Sequence, residues 1–230
     1  MKKIIFTALS ILLAGSVCAQ TAGINAGGTL SDYTRNFDTD ENQGPRAGLQ
    51  ISLSGQYPVT KKIGIRADLS FVQKGDQVKD PDSDYSKKFR VNYGEFFAGP
   101  VINIGATYVF AGPYIATALN GKETTNYSDG TSRTIDIFNT ETAVLLGGYS
   151  NMLNNKFDAG LNIGLGYEIN NFTIEAKGGL GLNNFYNTES DWYETQKFLG
   201  VYRVDGEPIE DDVRVKNIHV GLTIGYRISL

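Results

Sequence analysis

The sequence predicts an all-β protein: an eight-stranded antiparallel up-and-down transmembrane β-barrel with short periplasmic turns and long extracellular loops. Three observations carry that prediction. Apolar residues recur at every second position in several stretches, and successive side chains of a strand point to opposite faces. Short and long connections between those stretches alternate along the chain, as the two rims of an outer-membrane barrel require. The composition, with 27 Gly, 13 Tyr and 12 Phe among 230 residues, favours strands over helices.

The elements follow in order. Lys2 and Lys3 precede an apolar run over 4–14, and Val17-Cys18-Ala19 fits a small-x-small cleavage pattern before Gln20. Residues 1–19 therefore read as a cleaved signal peptide for Sec-dependent export, leaving 20–230 as one barrel domain. Lipidation of Cys18 ranks below simple cleavage, because Val17 stands where a small residue is expected. The run also falls short of the ~18 residues a spanning helix needs. The first strand covers 22–30. In the second, Leu49, Ile51, Leu53 and Tyr57 alternate with Gln50, Ser52, Ser54 and Gln56. The third sets Ile63, Ile65, Ala67, Leu69 and Phe71 against Gly64, Arg66, Asp68 and Ser70. Strands over 91–101 and 106–119 follow, and their parity leaves open which face looks where. The sixth sets Phe157, Ala159, Leu161, Ile163, Leu165 and Tyr167 against Asp158, Gly160, Asn162, Gly164, Gly166 and Glu168. The seventh, 172–183, sets Phe172, Ile174, Ala176, Leu180 and Leu182 against Thr173, Glu175, Lys177, Gly179, Gly181 and Asn183. The last, 218–230, sets Ile218, Val220, Leu222, Ile224, Tyr226, Ile228 and Leu230 against His219, Gly221, Thr223, Gly225, Arg227 and Ser229. Short turns are expected at 58–62, 102–105 and 170–171, and long polar excursions at 31–46, 74–90, 120–155 and 184–215.

Alternation alone does not say whether the oily face meets lipid or a core. Three features favour lipid over a soluble lipocalin-like barrel. The apolar faces of the five clear strands carry no charge, and a Lys or Arg at the bilayer midplane costs ~2–4 kcal/mol. Aromatics stand at strand ends on that face, Tyr57, Tyr167, Phe172 and Tyr226 at one rim and Phe71 and Phe157 at the other, as interfacial girdles do. The polar faces are rich in Gly, which suits a crowded narrow lumen better than a solvated surface.

Composition excludes several functions. The one cysteine, Cys18, lies in the expected signal segment, so no disulfide or thiolate chemistry follows. The chain has 21 Lys+Arg and 25 Asp+Glu; without Lys2 and Lys3 the balance becomes more acidic, with no footprint for nucleic acid. Asp80, Asp82 and Asp84 open like a calcium loop, but Tyr85 replaces its turn glycine and Val91 its closing Glu. Gly178-Gly179-Leu180-Gly181 sits inside a strand pattern, not a phosphate cradle. His219 is the only histidine, and its same-face neighbours, Asn217 and Gly221, are not nucleophiles, so it reads as a polar lumen residue. No catalytic, cofactor-binding or metal residue is assigned.

Arg66, Asp68, Glu95, Glu168, Glu175, Lys177 and Arg227 are expected to point inward. Their simplest role is a filling of salt bridges and hydrogen bonds, with a proton or ion path as the alternative. Asp38, Asp40 and Glu41, and Glu210, Asp211 and Asp212, read as acidic loop tips, able to meet divalent ions or simply solvated. Tyr127, Trp192, Tyr193, Phe198 and Tyr202 are large aromatics in the long excursions. They either bind a partner or pack the loops together.

Two resemblances add to this reading. The ending Thr223, Gly225, Ile228, Leu230 is similar to the C-terminal recognition signal of outer-membrane barrels, although Leu230 replaces the usual aromatic. The stretches Leu69-Ser70-Phe71-Val72-Gln73-Lys74-Gly75, Asn92-Tyr93-Gly94-Glu95, Phe110-Ala111-Gly112-Pro113-Tyr114, Leu119-Asn120-Gly121-Lys122, Lys156-Phe157-Asp158-Ala159-Gly160-Leu161, Gly164-Leu165-Gly166-Tyr167-Glu168 and Gly225-Tyr226-Arg227 resemble the PorT-like outer-membrane β-barrel family. The segment 123–155 is longer than that family's third loop. These motifs build strands, so the resemblance implies architecture rather than activity, although some members belong to secretion or gliding machinery.

The leading expectation is an outer-membrane barrel of a Gram-negative cell, non-enzymatic, with a structural, adhesive or partner-binding role through its loops. The expected surroundings are outer-membrane lipid and lipopolysaccharide, the barrel-assembly machinery during insertion, and an envelope or extracellular protein partner for a monomeric barrel. A lipid-modifying enzyme and a soluble periplasmic ligand-binding barrel are the alternatives.

Overall fold

The computed structural model describes residues 21–35, 42–79, 85–138, 155–185 and 214–230. The expected signal peptide, the acidic residues Asp38, Asp40, Glu41, Asp80, Asp82, Asp84, Glu210, Asp211 and Asp212, and the aromatics Trp192, Tyr193, Phe198 and Tyr202 lie outside these residues.

Among the described residues ten strands form one antiparallel sheet: β1 (Thr21–Arg35), β2 (Asn42–Pro58), β3 (Ile63–Lys74), β4 (Asp76–Lys79), β5 (Tyr85–Ile104), β6 (Thr107–Tyr127), β7 (Ser132–Asp136), β8 (Phe157–Ile169), β9 (Phe172–Gly181) and β10 (Val215–Ser229). Eight of them close a barrel. β1 pairs with β2, β2 with β3, β3 with β5, β5 with β6, β6 with β8, β8 with β9, β9 with β10, and β10 returns to β1 from Thr21↔Ser229 to Arg35↔Val215. Closure matters because hydrocarbon offers unpaired N–H and C=O groups no partner. β4 continues the path of β3 beyond a bend at Gly75, and β7 folds back on β6.

The eight expected strands and three short turns are present. Asn170 and Asn171 have φ of 47° and 75°, the pair of positive values that a two-residue hairpin turn of primed type demands. Asn171 Nδ2 also donates to Arg227 O at 2.8 Å, tying the turn to β10. In the β2–β3 turn, Thr60 Oγ1 accepts from the N–H groups of Lys62 and Ile63 at 3.2 and 3.0 Å. Gly105, with φ of 66°, turns β5 into β6.

The long excursions need correction. β1 continues to Arg35, β2 begins at Asn42, β5 begins at Tyr85 and β6 runs to Tyr127, so most of 31–46 and 74–90 and the start of 120–155 are strand. Tyr127 ends β6 rather than standing in a loop. β5 and β6 are 20 and 21 residues long, about twice the ~9–11 a membrane strand needs. Beyond the bilayer the outward face meets water and turns polar, so the apolar–polar alternation stops, while inward residues such as Ser31, Tyr33 and Val78 stay buried and the hydrogen-bonded ladder continues. The turn expected over 102–105 shrinks to Gly105 and Ala106, and β9 ends at Gly181, before Leu182 and Asn183.

Parity is as expected in the five clear strands. Leu49, Ile51, Leu53, Ile65, Leu161, Ile163, Leu165, Ile174, Val220, Leu222 and Ile224 are exposed on the outer wall, whereas Gln50, Ser52, Arg66, Asp68, Asn162, Glu175, Lys177 and His219 are buried inside. The open parities are settled too. On β5, Val91, Tyr93, Glu95, Phe97 and Val101 face the lumen; on β6, Tyr108, Phe110, Tyr114 and Ala116 do. Near its upper end β6 carries a bulge, where Asn92 pairs with Asn120 and Tyr93 with Ala118. Leu119 is the extra residue, and beyond it the inward positions become Gly121 and Glu123.

Candidate functional site

The lumen is where polar chemistry gathers, and backbone pairing explains how it is filled. β6 sends large rings inward, and each lies over a glycine of β8 directly across the ladder: Tyr108 over Gly166, Phe110 over Gly164 and Tyr114 over Gly160. A Cβ at Gly166 would come within 2.0 Å of the Tyr108 ring, and one at Gly164 within 2.2 Å of Phe110. His219 covers Gly179 of β9 in the same way. The glycine-rich polar faces are thus sockets for rings.

Around the rings the charges pair in two layers. In the layer nearer the short turns, Arg66 Nε donates to Asp68 at 2.8 Å, and its two terminal nitrogens hold Glu175 at 2.7 and 3.1 Å. Tyr108 OH donates to Glu175 at 3.0 Å, and the Arg66 guanidinium stands 4.0 Å from the Phe110 ring centre. Arg227 meets Glu168 at 2.8 Å. In the upper layer Lys74 bridges Glu95 and Asp158, each at 3.1 Å, while Lys177 reaches Glu95 at 3.2 Å. Asn162 donates to Glu95 at 2.9 Å and Tyr114 OH to Asp158 at 3.1 Å. Bidentate and charge-assisted bonds of this kind compensate part of the desolvation that four cations and five carboxylates pay inside a barrel.

All seven charges expected inside are there. Glu168 is the outermost, with 36% of its side chain exposed at the short-turn rim. Lys74 and Asp158 were not among them, yet both lie at the centre of the upper layer. The parity of β3 carries through Arg66, Asp68, Ser70 and Val72 to Lys74, so extending the alternation by three residues would have found it. Asp158 follows from the polar parity of β8 in the same way.

His219 lies in the upper lumen, 2% exposed, edge-on to Tyr114 at 6.4 Å. Neither ring nitrogen has a hydrogen-bond partner within the protein, and no hydroxyl nucleophile is bonded to it. Gly178 faces outward beside Val220, and Gly179 lies beneath His219. Among the described residues no group of three or more His, Cys, Asp or Glu side chains is arranged to hold a metal ion.

Both ends of this filling have distinct character. Toward the long loops an apolar cap of Tyr33, Val91, Ile137, Phe185 and Val215 is buried, with Tyr33 and Phe185 stacked at 4.9 Å. Above it the collar holds Arg35 against Asp76 at 2.7 Å, and Ser31 Oγ bonds both N and O of Gly75. Burial pushes the Asp76 carboxyl up to about 6, against the pull of Arg35. At the other rim a cavity of 420 Å³ opens among Gln56, Tyr57, Asn103, Glu168, Asn171 and Arg227. Outside that rim Phe172 and Tyr226 meet edge to face at 5.2 Å, as a girdle does.

Residues 19–187 match the family model described as outer membrane protein beta-barrel domain. Solved structures similar to the chain include Ail, the attachment invasion locus protein of Yersinia pestis, at 17% identity over 91% of this chain and 99% of that one, with a TM-score of 0.43. OprG of Pseudomonas aeruginosa is 12% identical over 92% and 97%, with a TM-score of 0.36. CarO2 of Acinetobacter baumannii is 11% identical over 90% and 99%, with a TM-score of 0.40. No curated protein matches the sequence. With its closed eight-stranded wall, apolar outside and charged within, and the family model spanning most of its length, the chain belongs to the outer membrane protein beta-barrel domain family and resides in the outer membrane of a Gram-negative cell.

Proposed function

We propose that this barrel is a non-catalytic scaffold, a plugged cylinder that holds extracellular segments in place for structural, adhesive or partner-binding work. One observation carries the reading: between the short-turn rim cavity and the apolar cap the lumen is occupied by paired charges and interlocked rings, so recognition of a partner outside the cell falls to the surface beyond the membrane. A lumen filled in this way favours plugging over a proton or ion path. The PorT-like resemblance of the strand motifs is part of the same proposal, as are signal cleavage before Gln20, insertion by the barrel-assembly machinery and a monomeric state.

The test is a loop-shaved barrel in which 36–41, 80–84, 139–154 and 186–213 are each replaced by short Gly-Ser links. The shaved protein should insert and keep heat-modifiable gel migration, yet fail to restore the phenotype of a deletion strain. Full restoration by the shaved barrel would overturn the scaffold reading. Lipid A profiles of deletion and complemented strains separate the enzymatic alternative: identical profiles are expected, and a missing acyl group or modification would favour a lipid-modifying enzyme.

A further inference from the structure

The two guanidinium groups inside the barrel are partnered unequally. Arg66 serves two carboxylates, Asp68 through Nε and Glu175 through both terminal nitrogens. Arg227 has one: Nη1 donates to Glu168 Oε2 at 2.8 Å, and among the described residues its guanidinium makes no other hydrogen bond. Its position is nonetheless fixed. The guanidinium stands 4.5 Å from the Tyr108 ring centre, the backbone carbonyl accepts from Asn171 Nδ2, and the residue is 8% exposed. Arg227 lines the cavity at the short-turn rim, and its remaining nitrogens keep access to that space.

At 420 Å³ the cavity has the size of a small-ligand site. Thr21, Gln56 and Asn103 bring polar side chains to it, and among the described residues none of the three is hydrogen-bonded. Gln56 is 8% exposed, with Nε2 buried and without a partner, a state that costs free energy until a ligand or water supplies one. Tyr57, Pro58 and Val101 give the cavity an apolar side. Charge at this rim favours anions. In the segments 56–64, 101–107, 167–173 and 226–230 the cations are Lys61, Lys62 and Arg227, and the single carboxylate side chain is Glu168. A carboxylate fits the open edge of a guanidinium with two parallel bonds. The neutral polar groups suit an amide next to it, and the apolar side suits a short aliphatic group, neither of which a free phosphate possesses.

We infer that the short-turn mouth, which opens to the periplasm in this architecture, binds the carboxyl end of a peptide. The carboxylate lies on Arg227, the last peptide bond against Gln56 and Asn103, and the last side chain against Tyr57, Pro58 and Val101. The peptide thus brings Arg227 the second acid partner that Arg66 finds within the lumen.

The experiment is fluorescence anisotropy of the labelled peptide fluorescein-Gly-Gly-Ala-Val, as free acid or as carboxyl-terminal amide, titrated with the detergent-purified full chain. Wild type should bind the acid about tenfold or more tightly than the amide. Unlabelled acid peptide should displace the probe, and acetate at the same concentration should not. Arg227→Gln should lose the preference for acid over amide. Gln56→Leu, outside the ion pairs, should weaken binding of the acid about threefold or more. Glu168→Gln should bind at least as tightly as wild type, because it removes the competing carboxylate. Lys88→Gln, at the opposite rim, should bind as wild type does. Heat-modifiable migration checks that each variant is folded. Equal binding of acid and amide by wild type overturns the site, and that arm needs no variant to fold. So does a folded Arg227→Gln that binds the acid within twofold of wild type, an unchanged Gln56→Leu, loss of binding in Glu168→Gln, an equal loss in Lys88→Gln, or displacement by acetate.

Discussion

Replacing Arg66 by Met tests the lumen filling where it is densest. Arg66 is fully buried and donates three bonds, one to Asp68 and two to Glu175, at 2.7 to 3.1 Å. Methionine keeps much of the volume over Phe110 but leaves two carboxylates without their cation; only Tyr108 OH still serves Glu175. Removing one partner of a buried ion pair costs about 3–5 kcal/mol, which lowers the folding equilibrium constant by roughly two to three and a half powers of ten. Reversible urea unfolding in lipid vesicles, followed by the heat-modifiable gel shift, measures it directly. The triple variant Arg66→Met/Asp68→Asn/Glu175→Gln removes the stranded charges and should recover at least half of the loss. A loss below about 1 kcal/mol for the single variant, or a triple variant no better than the single, would refute the view that these charges are a compensated structural filling.

Three further outcomes follow. Leu165→Arg, on the lipid face of β8, should cost about 2–4 kcal/mol and impair membrane assembly far more than Gln50→Arg in the lumen; equal assembly yields from the two would contradict the face assignment. Gly166→Ala should cost about 1–3 kcal/mol, because the new methyl would press on the Tyr108 ring, whereas Gly28→Ala, with nothing nearer than 3.9 Å, should be neutral in the same unfolding assay. Asp76 gives the collar a pH dependence: since its folded pKa is raised to about 6, its contribution to stability is full below the unfolded value near 4 and is lost as pH rises through about 6. Hydrogen exchange of β4 amides, corrected for intrinsic rates, should therefore speed up over that window in wild type and not in Asp76→Asn.

Much of this architecture was legible because a period of two is a strong signal wherever one face meets hydrocarbon. Strands such as β8 and β10 keep aliphatic residues on one parity and Gly, Asn or charges on the other, so their faces could be assigned without coordinates. β5 and β6 could not, because Tyr93, Phe97, Tyr108, Phe110 and Tyr114 put apolar rings into the lumen while Gly, Ala and Pro take the lipid side. The ring-over-glycine pairs show why for β6: Tyr108, Phe110 and Tyr114 fit across the ladder from Gly166, Gly164 and Gly160, a relation between β6 and β8 that single-strand patterns do not carry. Loop lengths were overestimated for a related reason. Above the bilayer the strands persist through the hydrogen-bonded ladder and a buried inner cap, but their outward residues are polar, and sequences such as Lys87-Lys88-Phe89-Arg90 read as polar excursions. Lys74 lies at the same border, where apolar and polar residues stop alternating in the sequence but the inward parity continues from Ser70 through Val72 to Lys74.

The orientation of the wall is tested most directly by lipid quenching at matched depth. Leu165 is in register with Val109, so Leu165 and Phe110 stand at nearly the same height on opposite sides of the barrel wall. The chain has one tryptophan, Trp192; with Trp192→Phe as background, Leu165→Trp and Phe110→Trp place a single reporter on each side. In vesicles with brominated acyl chains, tryptophan at 165 should be strongly quenched and tryptophan at 110 should keep its emission. Quenching at 110 with none at 165 would mean that the aliphatic stripes face the barrel axis, and the membrane-spanning reading of this chain would be wrong.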